Sequence, residues 1–169
     1  MMPGGKGGAN TGTGISFEKK TDLLTEIGKL PDFSIAGNEI LKNGVVVAIN
    51  CKHHKLYVFL KEKKVDYKLF ISSKLLPDEA LFVPSQKKIY IIEKKFQVTP
   101  GSVDEKLQTC VFKKQQYTRL FAPLGADVEY IYILSDWFLD KKYVDVLNFV
   151  ESSGCSYYFN ILPLEVLGL

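Results

Sequence analysis

Apolar and polar residues alternate with two different periods along this chain, and the change of period marks its elements. Between residues 15 and 30, Phe17, Leu23, Leu24 and Ile27 recur at roughly helical spacing, predicting a first helix capped by Thr13 or Ser16. Residues 45–49 predict a strand, and 55–60 a second strand or the entry to a helix, while 66–74 is ambiguous. The centre is clearer. Two β-rich runs, 78–83 and 88–96, flank Pro84-Ser85-Gln86-Lys87 and predict a hairpin. A long helix is expected over 102–121, where Ser102 followed by Glu105 forms a capping box. A strand over 128–134 follows, then a helix over about 140–151 that ends near Gly154. A short strand over 156–160 and a helical turn over 163–169 close the chain. Helix, strands, helix, strand, helix, strand is the order of an α/β fold, a mixed central β-sheet flanked by helices.

Composition narrows this picture. The 169 residues are 46% hydrophobic and 24% charged, which suits one domain with a single core over residues 15–169. Residues 1–14 contain Gly-Gly-Lys-Gly-Gly-Ala-Asn-Thr-Gly-Thr-Gly and read as a flexible glycine-rich arm. That arm lacks the Gly-Lys-Ser/Thr ending of a phosphate-binding loop, and no strand precedes it. No apolar run approaches the ~20 residues of a membrane helix, and the arm lacks the apolar stretch of a secretory signal. A cytoplasmic protein without a membrane partner is therefore expected. Cys51, Cys110 and Cys155 are odd in number and widely spaced, against a disulfide framework. Cys51, His53 and His54 lack the second ligand pair of a structural zinc site and predict a strand edge or loop. The net charge of +3 decides nothing, but paired lysines such as Lys63–Lys64, Lys87–Lys88, Lys94–Lys95 and Lys113–Lys114 suit a phosphate backbone.

The candidate chemistry lies in the central hairpin. Strand side chains alternate, so Glu93 and Lys95 share a face. If Val83 pairs with Lys88, Asp78 falls opposite Glu93, with Cβ atoms roughly 4.5–5.5 Å apart. Two carboxylates so placed repel one another unless a divalent cation lies between them, and an oxygen-only site of this kind suits Mg2+. Lys95 would stand beside the cation and a phosphate, where its ammonium stabilises developing negative charge. A one-residue slip would put Glu79 in line instead of Asp78. On the expected long helix, Lys113, Lys114 and Arg119 form a polar stretch that would touch phosphates or be its solvated side. Tyr130 and Tyr132 alternate with apolar neighbours and are expected in the core.

Pro77-Asp78, the hairpin, the apolar run Ile89-Tyr90-Ile91-Ile92 and then Glu93-Lys94-Lys95-Phe96-Gln97 together resemble the signature of the PD-(D/E)XK nuclease superfamily. Three further stretches look most like type II restriction endonucleases: GGANTGTGISFE at 7–18, IIEKKFQ at 91–97 with GSVDEKL at 101–107, and the closing SGCSYYFNILPLEVLGL. The resemblance covers most of the chain but not residues 32–60. It implies a restriction-endonuclease-like core and sequence-specific, Mg2+-dependent cleavage of double-stranded DNA, with a homodimer to cut both strands. Asp78 and Glu93 would be metal ligands and Lys95 the catalytic lysine. Gln97 would match a glutamine that follows that lysine, and Glu18 an acid of the first helix that points towards the metal. Glu79 remains the alternative to Asp78, and Lys94, Lys113, Lys114 and Arg119 are the candidate DNA contacts. Two other functions remain open: a repair or junction-resolving nuclease of the same superfamily, and a non-catalytic DNA-binding or assembly module.

Overall fold

A computed structural model describes residues 14–16, 22–98 and 103–169. It is an α/β fold built on a mixed seven-stranded sheet with helices against it. The sheet strands are β2 (Phe33–Ala36), β3 (Glu39–Lys42), β4 (Val45–Asn50), β5 (Glu79–Val83), β6 (Lys88–Lys95), β7 (Asp127–Leu134) and β8 (Ser156–Phe159), paired in that order. From β2 to β6 every neighbour is antiparallel. The pairs β6–β7 and β7–β8 are parallel, the change that a helical crossover permits. A separate two-stranded ribbon joins β1 (Gly14–Ser16) to β9 (Ile161–Pro163).

The helices are α1 (Leu23–Ile27), α2 (Lys55–Glu62), α3 (Val103–Lys106), α4 (Cys110–Phe121) and α5 (Val144–Ser152). Strand alternation divides the core into two layers. On one face Ile89, Ile91, Tyr130 and Tyr132 pack with Leu56, Phe59, Leu120, Phe121 and Leu147 of α2, α4 and α5. On the other, Leu81, Val83, Tyr90, Ile92, Ile131 and Ile133 pack with Leu23 and Ile27 of α1 and with Leu162 and Leu167. Phe59, Phe82 and Phe121 bring ring centroids to 5.0–6.5 Å and fasten α2 and α4 onto β5. Among the described residues no helix is long and apolar enough to cross a membrane.

The structure departs from the sequence-based expectations in several places. The first helix shrinks to five residues because Asp22, rather than Thr13 or Ser16, caps it: its carboxylate accepts the Leu24 N–H. Ser16 instead pairs with Ile161 in the β1–β9 ribbon, and Gly14, assigned to the arm, pairs with Pro163. Residues 1–13 of the arm, and Glu18 with them, lie outside the described residues, as does the capping residue Ser102. The expected long helix is broken by a 3-10 turn over Leu107–Thr109. There the Tyr132 hydroxyl reaches the carbonyls of Lys106 and Leu107, and Thr109 Oγ1 donates to Lys106 C=O. Side-chain donors thus serve carbonyls near the break. Residues 55–60 are helical, and the Phe33–Lys42 stretch supplies β2 and β3, which no pattern predicted. Their burial does not alternate cleanly: β2 is exposed along most of its length.

Candidate active site

The hairpin register is the one its turn predicts. Val83 pairs with Lys88 and Glu79 with Ile92, so Asp78 stands one position beyond the last pair, opposite Glu93. The turn closes through a 3-10 arrangement in which Lys87 adopts a left-handed conformation with φ +48°. At the open end, Pro77 C=O accepts the His53 N–H. Lys94 N–H is given instead to Asp78 Oδ2, at 2.9 Å. That bond orients a half-buried carboxylate at the mouth of the β5–β6 pair.

Asp78, Glu93 and Lys95 lie on the face covered by α2 and α4, continuing the row of Ile89 and Ile91. Glu93 is only 5% exposed. Its Oε2 receives the Lys95 ammonium at 3.0 Å and that of Lys113, in the first turn of α4, at 3.3 Å. Two acids and two bases therefore meet at one end of the hairpin. Beneath them lies Tyr117 of α4, whose hydroxyl is pushed far above the phenol range by burial and, secondarily, by the Glu93 carboxylate. It stays protonated at any physiological pH. From α2, the Tyr57 hydroxyl accepts the Leu75 N–H (2.7 Å) and donates to Leu75 C=O (2.9 Å), pinning the segment that leads to Asp78.

The opposite face of the same strands carries a second polar cluster. Glu79 is buried there, not beside Glu93, and its Oε1 accepts from Leu23 N–H (3.2 Å) and from the Lys94 ammonium (2.9 Å). Burial raises the Glu79 pKa, and the Lys94 and Leu23 donors offset it only in part. Asp22 is paired with the Lys52 ammonium. Burial pushes its pKa up, but the bonds from Lys52 and Leu24 N–H outweigh it, so the net shift is downward. Lys94, a candidate DNA contact by sequence, has a side chain only 12% exposed and points into this cluster.

The remaining candidates are dispersed. Gln97 is buried just past β6, its backbone N–H and C=O both bonded to Ser135 Oγ. Lys114 donates to Gly154 C=O, at a turn whose φ of +72° favours glycine, and Arg119 is exposed on α4. Tyr130 and Tyr132 are fully buried, as expected. His53 and His54 are exposed in a turn, whereas Cys51 is buried and its thiol pushed up to about 12 by that burial. Among the described residues, no group of three or more histidine, cysteine, aspartate or glutamate side chains is gathered as a metal cluster. The donor set at the hairpin mouth is smaller: two carboxylates, a number that suits Mg2+, which keeps several waters. Nearby, Lys61, Lys64 and Lys74 line a cleft of about 450 Å3 with Tyr57 and Tyr67. The Lys74 ammonium there sits 4.8 and 5.1 Å from the two ring centroids.

Compared with protein-family models, with curated proteins and with solved structures, the chain finds no match.

Proposed function

We propose that this chain is a Mg2+-dependent endonuclease of the PD-(D/E)XK type that hydrolyses phosphodiester bonds in double-stranded DNA, most like a type II restriction endonuclease. The observation that carries the proposal is the common face of Asp78, Glu93 and Lys95 at the open end of the hairpin. A sheet with no chemistry to perform gains little from placing two acids in opposed positions, since like charges directly opposite are destabilising. The sheet around them, mixed and covered by helices, is compatible with a restriction-endonuclease-like core.

In this proposal Asp78 and Glu93 hold the cation. When bound, Mg2+ supplies Lewis-acid polarisation of the phosphate and lowers the pKa of a coordinated water. Lys95 directs its ammonium at the phosphate, where negative charge develops during in-line attack. The Lys94 N–H keeps Asp78 turned to the site, and the neutral Tyr117 hydroxyl adds no competing charge beneath it. Glu79, with its partner Lys94 on the reverse face, supports the strand ends rather than the cation. The lysines of the neighbouring cleft, with Lys114 and Arg119, offer positive charge to a polyanion. One such site per chain cuts both strands of a symmetric sequence if two chains pair.

The test is incubation of plasmid and phage DNA with Mg2+, beside Glu93→Ala and Lys95→Ala. Discrete fragments that vanish in both variants are the expected result. A smear or a preference for branched DNA, lost in the same variants, would move the protein to repair. DNA binding with no cleavage in Mg2+ or Mn2+ would refute an enzyme and leave a binding module.

A further inference from the structure

Lys113 reaches Glu93 from a different element than Lys95 does. Strand alternation accounts for Lys95, two residues along β6. Lys113 comes from the first turn of α4 and touches the same oxygen, Oε2. The two ammonium groups differ in how firmly they are held. Lys95 is at 3.0 Å with its side chain 14% exposed, whereas Lys113 is at 3.3 Å and 28% exposed. Asp78, Glu93, Lys95 and Lys113 together are neutral. A divalent cation entering that set creates a surplus of two charges around a Glu93 that is 94% buried in its side chain. Charge imbalance in so dry a place is costly. The surplus falls if an ammonium leaves Oε2 and a phosphate arrives.

We propose that Lys113 is a displaceable counter-ion of the cation site. It occupies Glu93 in the DNA-free protein, yields Oε2 to the divalent cation, and transfers its ammonium to a phosphate oxygen of the bound strand. This rests on the nuclease reading above and adds a control to it: cation uptake and DNA binding favour one another. Lys113 is the ammonium that moves because it is the more exposed of the two and lies at the longer distance. Lys113 also stands on a different element, α4, whereas Lys95 shares β6 with Glu93. Linkage makes the effect reciprocal, so a competitor that weakens the cation in the absence of DNA is removed when DNA draws it away.

The experiment is calorimetric titration of Mn2+ into the 169-residue chain without DNA, comparing wild type with Lys113→Met, Lys113→Arg and Glu93→Gln. Removing a unit charge a few ångströms from the cation is expected to tighten Mn2+ binding roughly tenfold or more in Lys113→Met. Lys113→Arg, which keeps the charge, is expected to match wild type, and Glu93→Gln to lose the site. In cleavage assays Lys113→Met is expected to need less Mn2+ for half-maximal rate while its maximal rate falls, a split that a merely structural lysine would not produce. If Lys113→Met binds Mn2+ no more tightly than wild type while Glu93→Gln abolishes binding, the counter-ion role is overturned and the nuclease reading stands. If neither wild type nor Lys113→Met shows Mn2+ binding that depends on Glu93, both fall together.

Discussion

Asp78 and Glu79 are adjacent in sequence with opposite surroundings, and replacing each by its amide separates a role in chemistry from a role in folding. In Glu79→Gln the side chain keeps its shape, but two bonds to a charged acceptor, from Leu23 N–H and the Lys94 ammonium, become bonds to a neutral one. Hydrogen bonds to charged groups are worth about 1.5–3 kcal/mol and neutral ones about 0.5–1.5, so the two together lose about 2 kcal/mol. Burial works the other way. The raised Glu79 pKa means that ionisation costs the folded state, a cost glutamine does not carry. Because the net shift is upward, that cost outweighs the stronger bonds, so Glu79→Gln is expected to lose no more than about 1 kcal/mol near pH 7, well below the ~3–5 kcal/mol of a buried pair stripped of one partner. The pH dependence has a definite sign. A carboxyl raised in the fold contributes stability fully below its unfolded pKa and loses it as pH rises through the folded value. The advantage of wild type over Glu79→Gln is thus largest in acid and narrows towards neutral pH. Cleavage by Glu79→Gln is expected to persist.

Asp78→Asn should behave in the opposite way. Asparagine still accepts the Lys94 N–H from a half-buried position, so the fold loses less than about 1 kcal/mol. Cleavage is expected to fall at least about 100-fold, since even partners outside a metal's own ligands cost 10–100-fold. Urea unfolding followed by Trp137, the only tryptophan, gives the stabilities at pH 4 and 7, and plasmid cleavage gives the activities. Equal loss of cleavage in both folded variants, or undiminished cleavage by Asp78→Asn, would refute the assignment of the two faces.

Three further outcomes follow from the same structure. Lys61→Glu with Lys74→Glu is expected to weaken DNA binding and to lower the slope of log K against log salt by up to about 2, while cleavage at saturating DNA changes little; an unchanged slope would remove the cleft from the DNA path. Asp22→Ala loses the cap of α1 and should cost about 0.5–2 kcal/mol. Because the Asp22 pKa is lowered, wild type's advantage should be present above the ordinary carboxylate pKa and shrink as pH falls through the lowered value, which denaturation at pH 3 and 7 would show. Leu120→Ala empties a fully buried position under α4 and should cost about 2–5 kcal/mol in urea, with a smaller loss indicating that α4 packs less closely on β7 than the structure has it.

The hairpin was legible because everything that defines it is local. Alternation put Glu93 and Lys95 on one face, and the length of the Pro84–Lys87 turn set the register that brings Asp78 opposite Glu93. The same arithmetic put Glu79 on the other face, but its partner there is the backbone of Leu23, 56 residues away, and no spacing reveals such a contact. The first helix was overestimated for a related reason. Phe17, Leu23 and Ile27 fit a helical period, yet the Asp22 cap starts the helix at Leu23 and Ser16 pairs with Ile161, a choice made by a strand near the far end of the chain. β2 and β3 carry no readable period in the sequence, because most of β2 faces outward and burial imposes no alternation on it.

Lys113 shows how far such local signals reach. Its helix was anticipated, and its charge made it a candidate for phosphate contact, but those facts describe a solvated lysine as well as a functional one. What distinguishes it is the approach of α4 to β6, set by Leu120 and Phe121 in the core and by Tyr132 at the break before α4. An apolar core chosen for packing thus fixes where a cation stands. The helix must lie where the hydrophobic layer puts it, and the break at Leu107–Thr109 starts a new turn that brings Lys113 towards the open end of the hairpin. Moving that break by one residue would rotate Lys113 by about 100° around the helix and take it from Glu93. The electrostatics of the site are therefore inseparable from the packing of α4, and substitutions at Tyr132 or Leu120 should disturb the Lys113–Glu93 contact without touching either charge.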